Sequence, residues 1–362
     1  MWLKSINLTD FRNFDKLSLN FERTVNIFYG SNGSGKTNLL EAIFALCLGR
    51  SQRGANDMVM VRDEAEVYRI EGELIVDDNP HTIAVAYQRK ARKKVTIDFE
   101  TVKMARLYDN FSAVSAGPED SQILSGSPSV RRNFIDIYLS QLSRAYLNDL
   151  TDYQKALAQK NSALKKEMDP SPFDIMLIQI GSRIIMKRFE FIESMGTRQV
   201  KYYGDISGGE KMKVAYDPSV KFEATPESVK QIETAFEERL DRYHERERIL
   251  QTSMVGPHRD DIYFEINSYP ARTHGSQGQW RTAAIASKLA IYDLLKENRR
   301  EAPVLLLDEI FAELDQPRCN QLINAFEGFS QLFLTTATEP PEHLKAEARS
   351  FRIQNGTVLE IN

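Results

Sequence analysis

Eight consecutive residues, Gly30-Ser31-Asn32-Gly33-Ser34-Gly35-Lys36-Thr37, fit the pattern G-x-x-x-x-G-K-[ST]. Each residue type has a chemical reason at its place. Glycines reach backbone conformations that turn several N–H groups toward one centre, where phosphate oxygens would sit. A helix starting after the loop adds a partial positive charge. Lys36 supplies a full charge for the β- and γ-phosphates of ATP, and Thr37 a hydroxyl for Mg²⁺. The pattern carries this meaning only between a strand and a helix. Here β-prone residues 24–29 precede it. Residues 38–48 continue it as a helix, with Leu39, Leu40, Ile43, Phe44 and Cys47 on one side and Gly49 as the stop.

A second constellation lies far along the chain. Pro303-Val304-Leu305-Leu306-Leu307-Asp308-Glu309 is an apolar run ending in two acids. A strand this apolar is covered on both faces, as at the centre of a parallel sheet. Ligands bind beyond the carboxyl ends of such strands. Asp308 would hold Mg²⁺ directly or through water, and Glu309 would orient and deprotonate the attacking water. Acids also begin helices, so the pair takes its meaning from the loop elsewhere in the chain.

The segment Gly275-Ser276-Gln277-Gly278-Gln279 resembles the L-S-G-G-Q signature of ATP-binding-cassette (ABC) proteins. The resemblance implies that Ser276, the backbone of Gly278 and Gln279 face the γ-phosphate held by a partner subunit. Ile206-Ser207-Gly208-Gly209-Glu210 is closer in text. Spacing decides between them. From 276 to 308 is 32 residues, room for one long helix, a loop and the acidic strand; from 207 it is 101. The Gly208-Gly209 pair is instead read as a turn in a helical lobe. After the acids, Ala312-Glu313-Leu314-Asp315 is similar to the superfamily's D-loop, which crosses the dimer interface; Asp315 also suits a helix N-cap. The superfamily often places a switch histidine after the next strand. Leu334-Thr335-Thr336-Ala337-Thr338 has none, and Thr336 would substitute only partially.

The elements that must position these groups follow from periodicity. Residues 2–9, 17–21 and 25–29 read as strands. Within 66–108, Tyr68, Ile70, Leu74 and Val76 share a parity, Ile83, Val85 and Tyr87 another, and Val95, Ile97 and Phe99 follow, as in an antiparallel meander with one wet face. From about Ser127 the spacing becomes helical, through Phe134–Leu157 positions, then Ile175 to Ile192, then Val229 to Tyr243, with Asp169-Pro170-Ser171-Pro172 as a break. Strand character returns at 261–266, followed by a helix over 277–298, a strand over 304–307 and another over 332–335. The predicted fold class is α/β: an ABC-type ATPase head lobe with an antiparallel β-subdomain, plus an inserted, mostly helical second lobe and no long coiled coil. The predicted domains are 1–115 with 255–362 for ATP binding, and 116–254 for the insertion.

Composition narrows the classes. The chain has 362 residues, 42% hydrophobic and 27% charged, as a globular protein with a sizeable core does. No apolar run approaches the ~18 residues of a spanning helix, and residues 1–10 lack the basic-then-apolar pattern of a signal peptide. Cys47 and Cys319 have no metal-ligand neighbours and suit a reduced, cytoplasmic compartment. A net charge of −4 neither predicts nor excludes nucleic acid. Local patches bear on that question, and the clearest is Arg89, Lys90, Arg92, Lys93 and Lys94, at a turn between two meander strands.

The stretch between phosphate loop and signature holds a meander and a compact helical block, without sustained heptads. Chromosome-structural ATPases place a long coiled coil there, and transporter ATPases a shorter gap. The chain resembles the RecF family of bacterial recombination mediators over essentially its whole length. The resemblance rests on Leu8-Thr9-Asp10-Phe11-Arg12-Asn13-Phe14, Gly49-Arg50-Ser51-Gln52-Arg53, and Pro118-Glu119-Asp120-Ser121-Gln122. It continues through Gly126-Ser127-Pro128 with Arg131-Arg132-Asn133-Phe134-Ile135-Asp136, Gly256-Pro257-His258-Arg259-Asp260-Asp261, and Ser276-Gln277-Gly278-Gln279-Trp280-Arg281. Trp280, where a polar residue is usual, and Ala116-Gly117, where an aromatic is preferred, depart from the pattern.

The resemblance implies an ATP- and Mg²⁺-dependent homodimer that binds double-stranded DNA and single/double-strand junctions. It also implies slow, DNA-stimulated ATP hydrolysis as the release, and work with RecR and RecO to load RecA at gaps. Arg12 would lie near the phosphates, and Gln122 would sense Mg²⁺ and the γ-phosphate. His258 and Arg259 belong to a motif without an evident chemical role, and a packed structural histidine is the plainer reading. A nucleotide-gated scaffold with negligible turnover, or another ABC/SMC-like ATPase head, stands as the alternative.

Overall fold

The structure, a computed structural model, describes residues 1–222, 225–313, 316–324, 328–339, 348–354 and 356–360. Strands β1 (Trp2–Phe11), β2 (Phe14–Asn20) and β3 (Val25–Tyr29) lead into helices α1 (Lys36–Leu48) and α2 (Asp57–Met60). Strands β4 (Val67–Val76), β5 (Asn79–Gln88), β6 (Lys94–Ile97) and β7 (Glu100–Val102) follow, then α3 (Ala105–Asn110) and β8 (Ala113–Ala116). Next come α4 (Gln122–Ser125), α5 (Pro128–Leu142), α6 (Arg144–Lys165), α7 (Ser171–Ser207), β9 (Met212–Asp217) and α8 (Val229–Leu250). The chain closes with β10 (Asp261–Ile266), β11 (Tyr269–Pro270), α9 (Ala271–His274), α10 (Gln277–Asn298), β12 (Val304–Leu307), α11 (Gln316–Asn324), β13 (Leu332–Thr336), β14 (Ala348–Gln354) and β15 (Thr357–Glu360).

Two compact units result. The first comprises Met1–Ser121, Tyr202–Gly209 and Ser276–Asn362, the second Gln122–Lys201 and Glu210–Gly275. These limits differ from the predicted 1–115, 116–254 and 255–362. The reason is a pairing that local pattern does not announce. β10 pairs antiparallel with β9, from Asp261↔Asp217 to Ile266↔Met212, which holds residues 261–266 in the second unit.

In the first unit, one sheet is the antiparallel meander, in the order β2-β1-β4-β5-β6-β7. Along β1 Leu3, Ile6, Leu8 and Phe11 are buried, and strict alternation forbids the three-residue step between Leu3 and Ile6. A register shift between Leu3 and Ser5 restores these two to one face. Phe99 departs from expectation: it occupies the β6–β7 turn at φ 69° and is 84% exposed. The other sheet runs β15-β14-β3-β13-β12-β8, and all its pairs are parallel except β14–β15. Parallel strands bring their carboxyl ends to one edge. Gly30, Gly117, Asp308 and Ala337, each the residue after such a strand, therefore share that edge. All four residues of β12 are fully buried. Helix α1 is buried on every side rather than on one, from Leu39 through Leu48, and Glu41 is enclosed with the rest. Gly49 ends it at φ 68°.

In the second unit the helical run read as continuous through 134–157 is two helices. Ser143 adopts an extended conformation, and its hydroxyl accepts a bond from Tyr146 N, capping α6. Ile232, Phe236 and Leu240 of α8 pack with Ile185, Val220 and Val255. Buried Lys160 pairs with Asp174 and Glu247, each at 2.6 Å, and so ties α6, α7 and α8 together.

Candidate nucleotide-binding site

The phosphate loop leaves β3 and enters α1. Gly30 and Gly35 show why glycine is needed. At Gly30, with φ 151°, a Cβ would sit 2.2 Å from Ile353 O; at Gly35, with φ 115°, it would strike the Asn13 amide at 2.6 Å. Asn13 Nδ2 donates to Ser34 O at 3.1 Å, and Gly356 N donates to the same oxygen at 3.2 Å, fixing the loop from outside. Inside, Lys36 Nζ donates to Gly30 O (2.8 Å) and Ser31 O (3.1 Å) and lies 3.1 Å from Glu309 Oε1. Lys36 is 3% exposed. The buried Ser34 hydroxyl has no hydrogen-bond partner among the described residues. An orphaned hydroxyl inside a glycine cradle suits an arriving phosphate oxygen.

The acids meet this loop across 271 residues of sequence. Thr37 Oγ1 donates to Asp308 Oδ1 at 3.0 Å. Thr335, fully buried, donates to the same oxygen at 2.7 Å and accepts from Glu309 N at 2.8 Å. Thr336 is the threonine that the sequence points to in this region, but Thr335 touches both acids. Thr336 lies one residue on, its hydroxyl 3.5 Å from that of Thr338. Alternation along β13 directs one threonine inward and the next outward. Burial raises the pKa of Asp308, and the hydrogen bonds from Thr335 and Thr37 oppose that rise. Glu309 holds a left-handed backbone at φ 48°, unusual for a side chain of this kind. Thr37 and Asp308 offer hard oxygen donors side by side, which fits Mg²⁺, an ion that takes few protein ligands and completes its shell with phosphate and water. Around them lies a cleft of about 240 Å³ lined by Thr37, Gln52, Arg53, residues 115–120, Asp308 and Glu309.

Glu41 was not anticipated. Its carboxylate is 0% exposed and accepts from Arg12 Nε (2.7 Å) and Nη2 (2.9 Å), from Arg53 Nη2 (2.6 Å) and from the Ser51 hydroxyl. Burial raises its pKa, yet the bonds from Arg12, Arg53 and Ser51 outweigh it and hold the carboxyl below its ordinary value. Arg12, read from sequence as a phosphate neighbour, is turned onto Glu41 and Val59 O. Arg53, bonded to the same carboxylate, lines the cleft. The available signal was an acid five residues past Lys36, within the otherwise apolar run from Leu39 to Leu48.

Ser276 caps α10. Its hydroxyl accepts from Gln279 N at 3.2 Å while the Gln279 side chain accepts from Ser276 N at 3.0 Å, a reciprocal capping box. Among the described residues, neither Ser276, Gly278 nor Gln279 lines the cleft. The rival Ser207 ends α7 rather than opening a helix, and Gly208 and Gly209 follow at φ 77° and 106°. A helix end of this kind offers carbonyls, not N–H groups. Residues 202–209 fall in the first unit rather than in the helical one. Gln122 opens α4 in the second unit, with an exposed side chain. Asp315 lies outside the described residues.

Of the basic patch, Lys90, Arg92 and Lys94 are exposed at the β5–β6 turn. Arg89 is half-buried and donates to Ala65 O. Lys93 is turned inward, 2.5 Å from Asp57 Oδ1 and bonded to Gly49 O.

His258 is a packed histidine. Tyr153 OH lies 2.8 Å from Nδ1, and Nε2 lies 3.2 Å from Ser253 O. A carbonyl can only accept, so Nε2 carries the proton and Nδ1 accepts from the tyrosine. Burial pushes its pKa down to about 4. The unfolded chain therefore takes up a proton that the folded one refuses, and stability falls as pH drops from about 6.5 toward 4, by roughly 2–3 kcal/mol. Denaturant unfolding of the parent and of His258→Gln across that window checks this. The variant loses distinctly less stability on acidification; parallel curves would refute the buried neutral ring.

Known proteins resemble this chain in sequence and in fold. The profile of the RecF/RecN/SMC N-terminal domain family matches residues 2–356. The DNA replication and repair protein RecF of Bacillus thuringiensis (strain Al Hakam) is 36% identical over 370 aligned positions, covering 99% of this chain and 98% of that protein. RecF of Bacillus cereus (strain B4264) matches equally. Among solved structures, the recombination mediator protein RecF with ATP superposes at a TM-score of 0.92 and 33% identity, covering 100% of this chain and 98% of that one. The RecF-ATPrS structure gives 0.90 and 32% with the same coverage. The Smc head domain from Pyrococcus furiosus, at 0.58 and 15%, shares the fold alone. With both likenesses running nearly from end to end, the chain belongs to the RecF family of DNA replication and repair proteins, within the wider RecF/RecN/SMC N-terminal domain group.

Proposed function

We propose that this protein is a cytoplasmic ATPase of recombinational repair and replication-fork maintenance, whose ATP-bound dimer closes on DNA and whose slow hydrolysis reopens it. One observation carries the reading: among the described residues the cleft assembles Thr37, Asp308 and Glu309, with Lys36 held 3.1 Å from Glu309, but not the capped start of α10. A helix start carries a partial positive charge that favours anions. Ser276, Gly278 and Gln279 then complete the site of a second copy, and theirs completes this one. Asp315 would cross the same interface, and Gln122, by family likeness, would sense Mg²⁺ and the γ-phosphate.

Within the cleft, Lys36 leaves Glu309 for the phosphates, and the freed carboxylate takes the proton of the attacking water. Mg²⁺, held through Thr37 and Asp308, would supply charge neutralisation at the phosphates. Loss of the γ-phosphate removes the ligand that Ser276 of the other copy reads, so the dimer loosens. By family likeness, the partners are double-stranded DNA and single/double-strand junctions, with RecR and RecO, and the outcome is RecA loaded at gaps.

The mass in solution tests the shared site. The parent dimerises with ATP and not with ADP, and Ser276→Arg stays monomeric with either. A parent that remains monomeric with ATP, under conditions where ATP is bound, would sink the reading. The exposed turn is the DNA contact. Replacing Lys90, Arg92 and Lys94 together by Glu weakens duplex binding at low salt at least ~10-fold and flattens its salt dependence. Unchanged binding by fluorescence anisotropy would move the DNA contact elsewhere.

A further inference from the structure

The second unit contains a recess of about 350 Å³ between α5, α6, Arg188 of α7 and the Pro257-His258 turn. Two motifs that the nucleotide site leaves unused meet there: Arg131-Arg132-Asn133 with Asp136, and Pro257-His258-Arg259-Asp260-Asp261. Ser129, Arg132, Asn133 and Asp136 fall at i, i+3, i+4 and i+7, which sets them on one face of α5, and all four line the recess. Gln154 of α6 lines it as well, with an exposed side chain.

The charges around this recess are unevenly matched. Arg131 is paired with Asp261, Nη2 to Oδ2 at 2.8 Å. Fully buried Arg188 takes Asp136 at 2.8 Å and Asp260 at 3.2 Å, and also donates to Tyr146 OH and Pro257 O. Asp260 is further committed to Tyr216 OH and Ser219 N. The aspartates are thus held by other donors. Arg132, half-buried, has one hydrogen bond, from Nη1 to the backbone oxygen of Asp260 at 2.7 Å, and no carboxylate partner among the described residues. Arg259 is similar, donating twice to Ser253 O at 3.2 and 2.8 Å. Burial, then the charge of Arg188, lowers the pKa of Arg132, with Asp260, Asp261 and Asp136 compensating only in part. A guanidinium left short of negative charge in a recess is stabilised by an oxyanion that accepts its paired N–H groups. Amide and hydroxyl donors beside it complete the shell such a ligand requires, and the recess lies at the small end of ligand pockets.

We propose that this recess binds a phosphate group, with Arg132 as its principal ligand and Gln154 and the Ser129 hydroxyl, which shares a 2.7 Å hydrogen bond with the Ser127 hydroxyl, as flanking donors. The group is carried either by a DNA strand or by a free phosphate or nucleotide. The neutral His258 ring, its two nitrogens occupied by Tyr153 and Ser253, forms a wall of the recess rather than a ligand.

The test uses the full chain carrying Lys36→Ala, so that the phosphate loop does not take the probe. Inorganic phosphate is titrated by calorimetry, and a short duplex by anisotropy with and without a 5′-phosphate. The Lys36→Ala chain binds phosphate; adding Arg132→Met weakens this at least ~10-fold, and Arg132→Lys restores part of it. Thermal unfolding of the Met and Lys variants establishes that both fold. A matching loss for either duplex puts the group on DNA, and an unchanged DNA affinity puts it on a free ion or nucleotide; both agree with the site. No phosphate binding by Lys36→Ala up to ~10 mM, or equal binding by Lys36→Ala with and without Arg132→Met, overturns the proposal.

Discussion

A Glu309→Gln chain binds ATP at least as tightly as the parent and turns it over ~100-fold or more slowly. The two effects separate because Glu309 makes two different contributions. As a base, its carboxylate must accept a proton from water, which a carboxamide cannot do; general-base catalysis is worth roughly 10²–10⁴ in rate. As a neighbour of Lys36, 3.1 Å away, it competes with the incoming phosphates for the lysine charge. The amide removes that competition, so binding does not suffer. The substitution keeps the shape, and the backbone bond from Glu309 N to Thr335 remains. Phosphate release measured with and without duplex DNA, beside binding of a non-hydrolysable ATP analogue, reads both quantities. Equal turnover in parent and variant would remove Glu309 from the chemistry, and negligible turnover in both would favour the nucleotide-gated scaffold.

Glu41→Ala does its damage at the same site through a different route. It strips the shared acceptor from Arg12, Arg53 and Ser51, leaving two guanidiniums crowded at a partly buried point. Removing one member of an enclosed ion cluster costs a few kcal/mol. Arg53 is 30% exposed and can recover some hydration, so the expected loss is about 2–4 kcal/mol. Arg53 also loses its anchorage at the cleft wall, and ATP affinity falls ~10-fold or more. Denaturant unfolding and nucleotide titration measure the two losses. Stability within about 1 kcal/mol of the parent together with unchanged ATP affinity would show the cluster to be dispensable. The Glu41 carboxyl lies below its ordinary pKa, so its contribution is present at neutral pH and is lost as pH falls through that depressed value.

Residues close in sequence were legible because their geometry is local. The phosphate loop is one strand–turn–helix, and its glycines and lysine act through their own backbone. The acidic strand announced its burial through four apolar residues in succession. Ser276 could be preferred to Ser207 by counting residues to Asp308, and the structure supplies the complementary fact that Ser276 opens its helix whereas Ser207 ends one.

What the sequence by itself determined, then, was the set of chemical groups and the parallel α/β frame that brings them to one edge. Tertiary structure alone decided which neighbours each group has. Thr335 rather than Thr336 clamps the acids, because successive side chains of β13 point to opposite faces of the sheet and Thr335 is the one that follows the Leu307↔Leu334 pair, level with Asp308. Glu41, hidden in an apolar helix, gathers two arginines from distant loops. Lys93 leaves the basic turn for Asp57. β10 joins the second unit because its hydrogen-bonding edge found β9. The cause is common to all of these. Periodicity records which face of an element is buried, but ion pairs and strand pairings depend on what packs against that face, and nothing local in a chain of 362 residues encodes that.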